Sequence, residues 1–145
     1  MYRKLLFKGK TYEDEWVKGC LIYNFYSEHY KNIPYIGYKN NCERVIPETI
    51  SQCTEFYDKF KREIWENDII EDTNNNRYVV VFKDGKFYAI NIYKYPLFPQ
   101  GIINYSIELF DLLEIIKVAV IGDIIDDSDY VPDWFYKQYK DVKEK

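Results

Sequence analysis

The stretch KREIWENDII, Lys61 to Ile70, decides how the chain is to be read. Taken as chemistry, Glu66 and Asp68 are a carboxylate pair that could act as acid and base or hold a metal. Taken as architecture, Glu66-Asn67-Asp68 is a tight turn that feeds Ile69 and Ile70 into an apolar core. The pair has no company: a hard cation needs several further oxygen ligands, and the alternating Asp/Asn loop with its glycine is absent. Asn enters the left-handed region more readily than most residues, and Asp bonds nearby backbone N–H groups. The turn is therefore the expected reading.

Downstream, the pattern is that of antiparallel strands. EDTNNN, residues 71–76, collects turn formers between Ile69-Ile70 and the run from Tyr78 to Phe82. RYVVVF and KFYAINIY then flank Lys83-Asp84-Gly85-Lys86. Asp-Gly between two such runs signals a hairpin, because a type I′ turn needs φ above zero at both central positions, which Asp tolerates and Gly adopts freely. These runs make a meander. Leu109, Leu112, Leu113 and Ile116 recur at i, i+3, i+4 and i+7, the spacing of one face of a short helix. KVAVIGDII reads as a closing strand, and Pro132 is placed to open a last helix in which Phe135, Tyr139 and Val142 share a face.

Upstream, residues 4 to 8 and 15 to 26 are rich in aromatic and branched side chains and are expected as strands, with Lys10 to Asp14 as the hairpin connection. Pro34 and Gly37 break YKNIPYIGYKNN, which reads as a loop beside a short edge strand. RVIPETI is expected as a strand interrupted at Pro47. The polar run from Thr54 to Arg62 is the seam between two halves. The fold class expected is mainly β: two small β-rich subdomains, residues 1–55 and 56–145, with one or two short helices.

Composition bounds the function. The 145 residues are 47% hydrophobic with 16 Tyr and 9 Phe, enough apolar surface to drive folding. A net charge of -4 disfavours nucleic acid as a partner, since proteins that neutralise phosphates carry an excess of cations. No apolar run approaches the roughly 18 residues of a membrane span, and MYRKLLFKGK does not have the apolar core of an export signal. Cys20, Cys42 and Cys53 are odd in number and far apart, which suits free, small buried thiols in a reducing compartment. The expectation is a cytoplasmic protein with no membrane association.

Several segments together resemble one family. FKGK with DEWVKGCLI, then VIPETISQCT, KREIWENDII, VVVFKDGKFYA and VIGDIIDD occur in the order found in the YopX family of phage and prophage proteins. The resemblance implies a β-rich protein whose C-terminal part is an SH3-like barrel, in a family without an established activity. Two positions depart from the family pattern: Asn67 stands where Gly is usual, and Phe60-Lys61 stand where Asn-Gly is usual. The first keeps the left-handed option. The second puts residues that disfavour φ above zero in a turn, so that turn is expected to be built differently.

Candidates for chemistry are few. His29 is the single histidine, so a zinc site would need all three cysteines to converge on it, and no flanking pattern marks a thiolate-activating Cys-His dyad. Asp123, Asp126, Asp127 and Asp129 read as a solvated turn. Neither a catalytic residue nor a metal ligand nor a cofactor is expected. Two function classes remain. The first is a non-enzymatic module that binds another protein or itself, with Tyr93, Tyr95, Leu97 and Phe98 as the docking residues of the proline-stiffened loop YKYPLFPQG. The alternative is a small barrel that binds single-stranded nucleic acid through aromatic and basic interleavings, Tyr93-Lys94-Tyr95 and Tyr136-Lys137-Gln138-Tyr139-Lys140.

Overall fold

Asn67 takes φ 74°, and the turn it belongs to is where the chain leaves one sheet for the next. The computed structural model describes residues 5–24, 33–38, 41–92 and 106–136 of the chain. Within them the protein is mainly β and its strand pairings are antiparallel. By contact, Met1–Cys53 and Thr54–Lys145 are two compact units.

The first unit is built on β1 (Phe7–Lys10), β2 (Trp16–Asn24), β3 (Ile33–Tyr38) and β4 (Asn41–Arg44), ordered β4-β3-β2-β1, with the first residues of β5 (Ser51–Tyr57) beside β1. β3 is not a loop beside an edge strand, as Pro34 and Gly37 led us to expect. It is interior, pairing Leu21↔Ile36 on one side and Ile36↔Glu43 on the other. Pro34 is tolerated because it lies beyond the end of the β4 ladder, where its carbonyl accepts the Val45 N–H at 3.2 Å. The expected strand RVIPETI is also corrected: Arg44 ends β4, Val45 makes an isolated bridge to Thr11, and Pro47–Thr49 is a turn of 3-10 helix. Cys53 is buried as expected, whereas Cys20 and Cys42 are exposed. Each of the two lies directly across from Gly37 on a neighbouring strand.

In the second unit the later part of β5 lies beside β6 (Glu63–Trp65). The chain then turns at Glu66-Asn67 into a five-stranded sheet of β7 (Asp68–Asp72), β8 (Arg77–Lys83), β9 (Lys86–Asn91), β10 (Ser106–Glu108) and β11 (Val118–Asp123), ordered β10-β9-β8-β7-β11. Asp68 accepts the Trp65 N–H at 2.7 Å across the turn. The Asn67 backbone is itself tied down, donating to the Val80 carbonyl at 2.8 Å and accepting from the Ile124 N–H at 3.0 Å. KREIWENDII is thus the turn between sheets and not a carboxylate site.

Tyr78, Val79, Val80 and Val81 are all buried in β8, so the strand shows no alternation, because both faces of its sheet are covered. On one face Ile69, Val79, Val81, Ile90 and Ile92 pack with Ile124, Val131 and Phe135. On the other, Ile70, Val80 and Ala89 pack with Ile64 and with Leu109 and Leu112 of α1 (Leu109–Ile115), the helix that the leucine spacing predicted. Residues 133–136 are helical, as Pro132 foretold, while Tyr139 and Val142 lie outside the described residues. Asp84 (φ 53°) and Gly85 (φ 81°) make the expected hairpin turn. Among the described residues no pairing joins β10 to β11, so the sheet is not closed by backbone bonds.

One turn design recurs three times. At Thr11, Asp58 and Asp72 a side-chain oxygen accepts N–H groups two and four residues on: Glu13 and Glu15, Phe60 and Arg62, Asn74 and Asn76. The residue between those two, three on from the acceptor, is left-handed each time: Asp14 (φ 66°), Lys61 (φ 65°) and Asn75 (φ 65°). The expectation that the Phe60-Lys61 turn would be built differently is therefore overturned. Lys61 adopts the left-handed conformation that Gly would take, held there by the Asp58 bonds to either side of it.

Candidate interaction surface

The 58–62 turn carries the exposed Phe60 and is fixed by Asp58. Asp58 Oδ1 accepts the N–H of Phe60 and of Arg62, each at 2.9 Å, while Oδ2 accepts Arg62 Nε at 2.9 Å and the Val120 N–H at 3.0 Å. Lys59 N–H donates to the Val118 carbonyl at 2.8 Å and Arg62 Nη2 to the Val120 carbonyl at 2.9 Å, so the turn is laced to β11. Burial pushes the Asp58 carboxyl up, but the backbone donors Val120, Arg62 and Phe60 and the Arg62 side chain outweigh it, and the group is held below the ordinary 3.8. This carboxylate is fully occupied and serves architecture.

Between the turn and α1 lies a cleft of about 170 Å³ lined by Tyr57, Asp58, Lys59, Leu113, Ile116, Lys117 and Val118. The same unit turns several large apolar side chains to solvent. Phe60 is 64% exposed and Ile115 75%, and Tyr57 and Phe110 are also exposed. The Phe60 ring carries Lys59 Nζ and the Arg62 guanidinium, each 5.2 Å from its centroid. Phe110 leans on Phe56 with the rings 6.2 Å apart. Such a surface can bury apolar side chains of a partner and offers cations at its rim.

The docking residues expected from sequence, Tyr93, Tyr95, Leu97 and Phe98, lie outside the described residues, as do His29, Lys94 and residues 137–140. Tyr136 is half-buried against the Phe135 cluster and its hydroxyl donates to the Ser128 carbonyl at 3.3 Å. Asp123 and Asp127 act as turn formers: Asp123 Oδ1 accepts the N–H of Ile125 and Asp126, and Asp127 Oδ2 that of Asp123. Among the described residues no group of His, Cys, Asp or Glu is arranged to hold a metal. Sequence reading missed the cleft. The signal that could have found it is the segment DKFKR, where an exposed Phe among cations follows an Asp that fixes the turn.

The matching family model is described as YopX protein and spans residues 7–130, so the chain belongs to the YopX family. A comparison with curated proteins finds no match. Among the described residues no helix is long and apolar enough to cross a membrane.

Proposed function

We propose that this YopX-family chain is a phage- or prophage-type accessory protein that acts without catalysis, as a cytoplasmic module that binds another protein or a second copy of itself. The observation that carries the reading is a set of large exposed apolar side chains in one unit, Tyr57 at the end of β5, where it lines the cleft, Phe60 on the 58–62 turn, and Phe110 and Ile115 on α1. A monomer with no docking role gains nothing from a large ring and a branched aliphatic side chain held so far into water. The exposed thiols Cys20 and Cys42 support a reducing compartment.

An SH3-like barrel is our reading of the second unit. Its support is the chain order, a four-stranded meander followed by a short helix and a last strand that returns beside the first of the meander. The alternative, single-stranded nucleic-acid binding, draws on the same exposed ring with its cations, but the net charge of -4 weighs against it.

The test is retention of partners by the tagged full chain in extracts of phage-infected cells, with and without nuclease, beside the variant Tyr57→Ser/Phe60→Ser/Ile115→Ser, together with light scattering of the purified chain. The reading expects a protein, or a second copy, that survives nuclease and is lost in the variant at an unchanged melting temperature. Retention that vanishes with nuclease favours the alternative.

A further inference from the structure

We infer that the cleft between Tyr57 and Ile116 takes an acidic peptide segment of a partner, with one apolar side chain inserted and flanking carboxylates on Lys59 and Lys117; this rests on the protein-binding reading above. Three observations meet here. The first is size: about 170 Å³ is close to the roughly 150 Å³ that holds a benzene ring, so the cleft suits one Phe or Leu side chain and no more. The second is charge. Lys59 and Lys117, from the turn and from the residues following α1, line the same small cleft, and both are exposed. The one carboxylate lining the cleft, Asp58, is committed to three backbone N–H groups and to Arg62. An anionic segment seated in a cleft that two lysines line gains from both.

The third observation is conformational. Lys61, two residues on from the cleft-lining Lys59, occupies a left-handed turn position at φ 65° that residues with a side chain seldom adopt unaided. The Asp58 bonds hold this turn, so Lys59, Phe60, Lys61 and Arg62 are displayed on a backbone already fixed before a partner arrives. The geometry suits a peptide better than a nucleic-acid strand. Asp111 and Glu114 are exposed on α1, whose Leu113 lines the cleft, so acidic side chains interrupt the cationic surface on the helix side of the lysine pair.

The experiment is fluorescence anisotropy with the full chain and four labelled probes: a short Asp/Glu peptide with one central Phe, its Asn/Gln counterpart, the acidic peptide with Gly in place of Phe, and a short oligothymidylate. The acidic Phe peptide should bind best and weaken as salt is raised. Lys59→Gln and Lys117→Gln should each weaken it by up to roughly fivefold, with unchanged melting temperatures. The Asn/Gln and Gly probes should bind at least about tenfold more weakly. Equal binding of the Asn/Gln peptide, indifference to both lysine substitutions, or tighter binding of the oligothymidylate would each overturn the inference. If no acidic peptide binds while the serine variant still loses a nuclease-resistant partner, this inference fails and the protein-binding reading stands.

Discussion

Asp58→Asn is the perturbation whose size the structure sets most directly. The wild-type carboxylate has no solvent exposure and accepts from three backbone N–H groups and Arg62 Nε. An Asn keeps one oxygen, enough for the Phe60 and Arg62 N–H groups, and turns its NH₂ toward Val120 N–H and the guanidinium. Arg62 is 53% exposed and rehydrates, which limits that loss to less than about 1 kcal/mol. The Val120 N–H, on a half-buried strand and now facing a donor, costs about 1–3 kcal/mol. The sum is about 1–4 kcal/mol, read in urea as a midpoint lowered by roughly 0.5–2 M. The pH dependence carries the sign. The folded-state pKa lies below the unfolded one, so the stabilisation is complete above the unfolded value near 3.8 and is lost as pH falls through the lower folded value. The gap between wild type and variant should therefore be constant from about pH 5 to 7 and narrow below about pH 4. A gap under about 0.5 kcal/mol at pH 7, or one that persists undiminished into strong acid, would refute the reasoning.

Three further outcomes follow from single features. Gly122→Ala places a Cβ 2.5 Å from Asp127 Oδ2, so the carboxylate must leave the Asp123 N–H, and thermal unfolding should show a loss of about 1–3 kcal/mol. With a thiol reagent such as dithionitrobenzoate, the exposed Cys20 and Cys42 should react at once in the native protein and the buried Cys53 only on unfolding. The Tyr78 phenol, pushed up to about 12 by burial and by its bond to Asp72, should stay protonated well past the ordinary tyrosine value of 10.0 in an alkaline titration followed by ultraviolet difference absorbance.

How far the sequence carried varied with the kind of signal. Asp84-Gly85, the leucines of α1, Asn67 and the EDTNNN turn were legible because each is a local conformational preference that the tertiary structure does not oppose. β3 was misread because a Pro and a Gly argue against a strand, and only the register shows that Pro34 sits past its neighbour's ladder. Lys61 was misread because its intrinsic aversion to φ above zero is overcome by Asp58, a residue whose three-way role depends on β11, over fifty positions away in the chain. The cleft was invisible for the same reason: Tyr57 and Lys59 meet Leu113 and Ile116 only through long-range packing.

Site-specific photo-crosslinking tests the docking surface most directly. With p-benzoylphenylalanine placed at Phe60, at Ile115 and, as a control, at the exposed Phe82 of β8, the full chain would be irradiated in phage-infected cells. The account predicts discrete protein adducts from positions 60 and 115, to a partner or to a second copy, and none of the same mass from position 82. Adducts equally strong from all three positions, adducts dissolved by nuclease, or no adducts from 60 and 115 would contradict it.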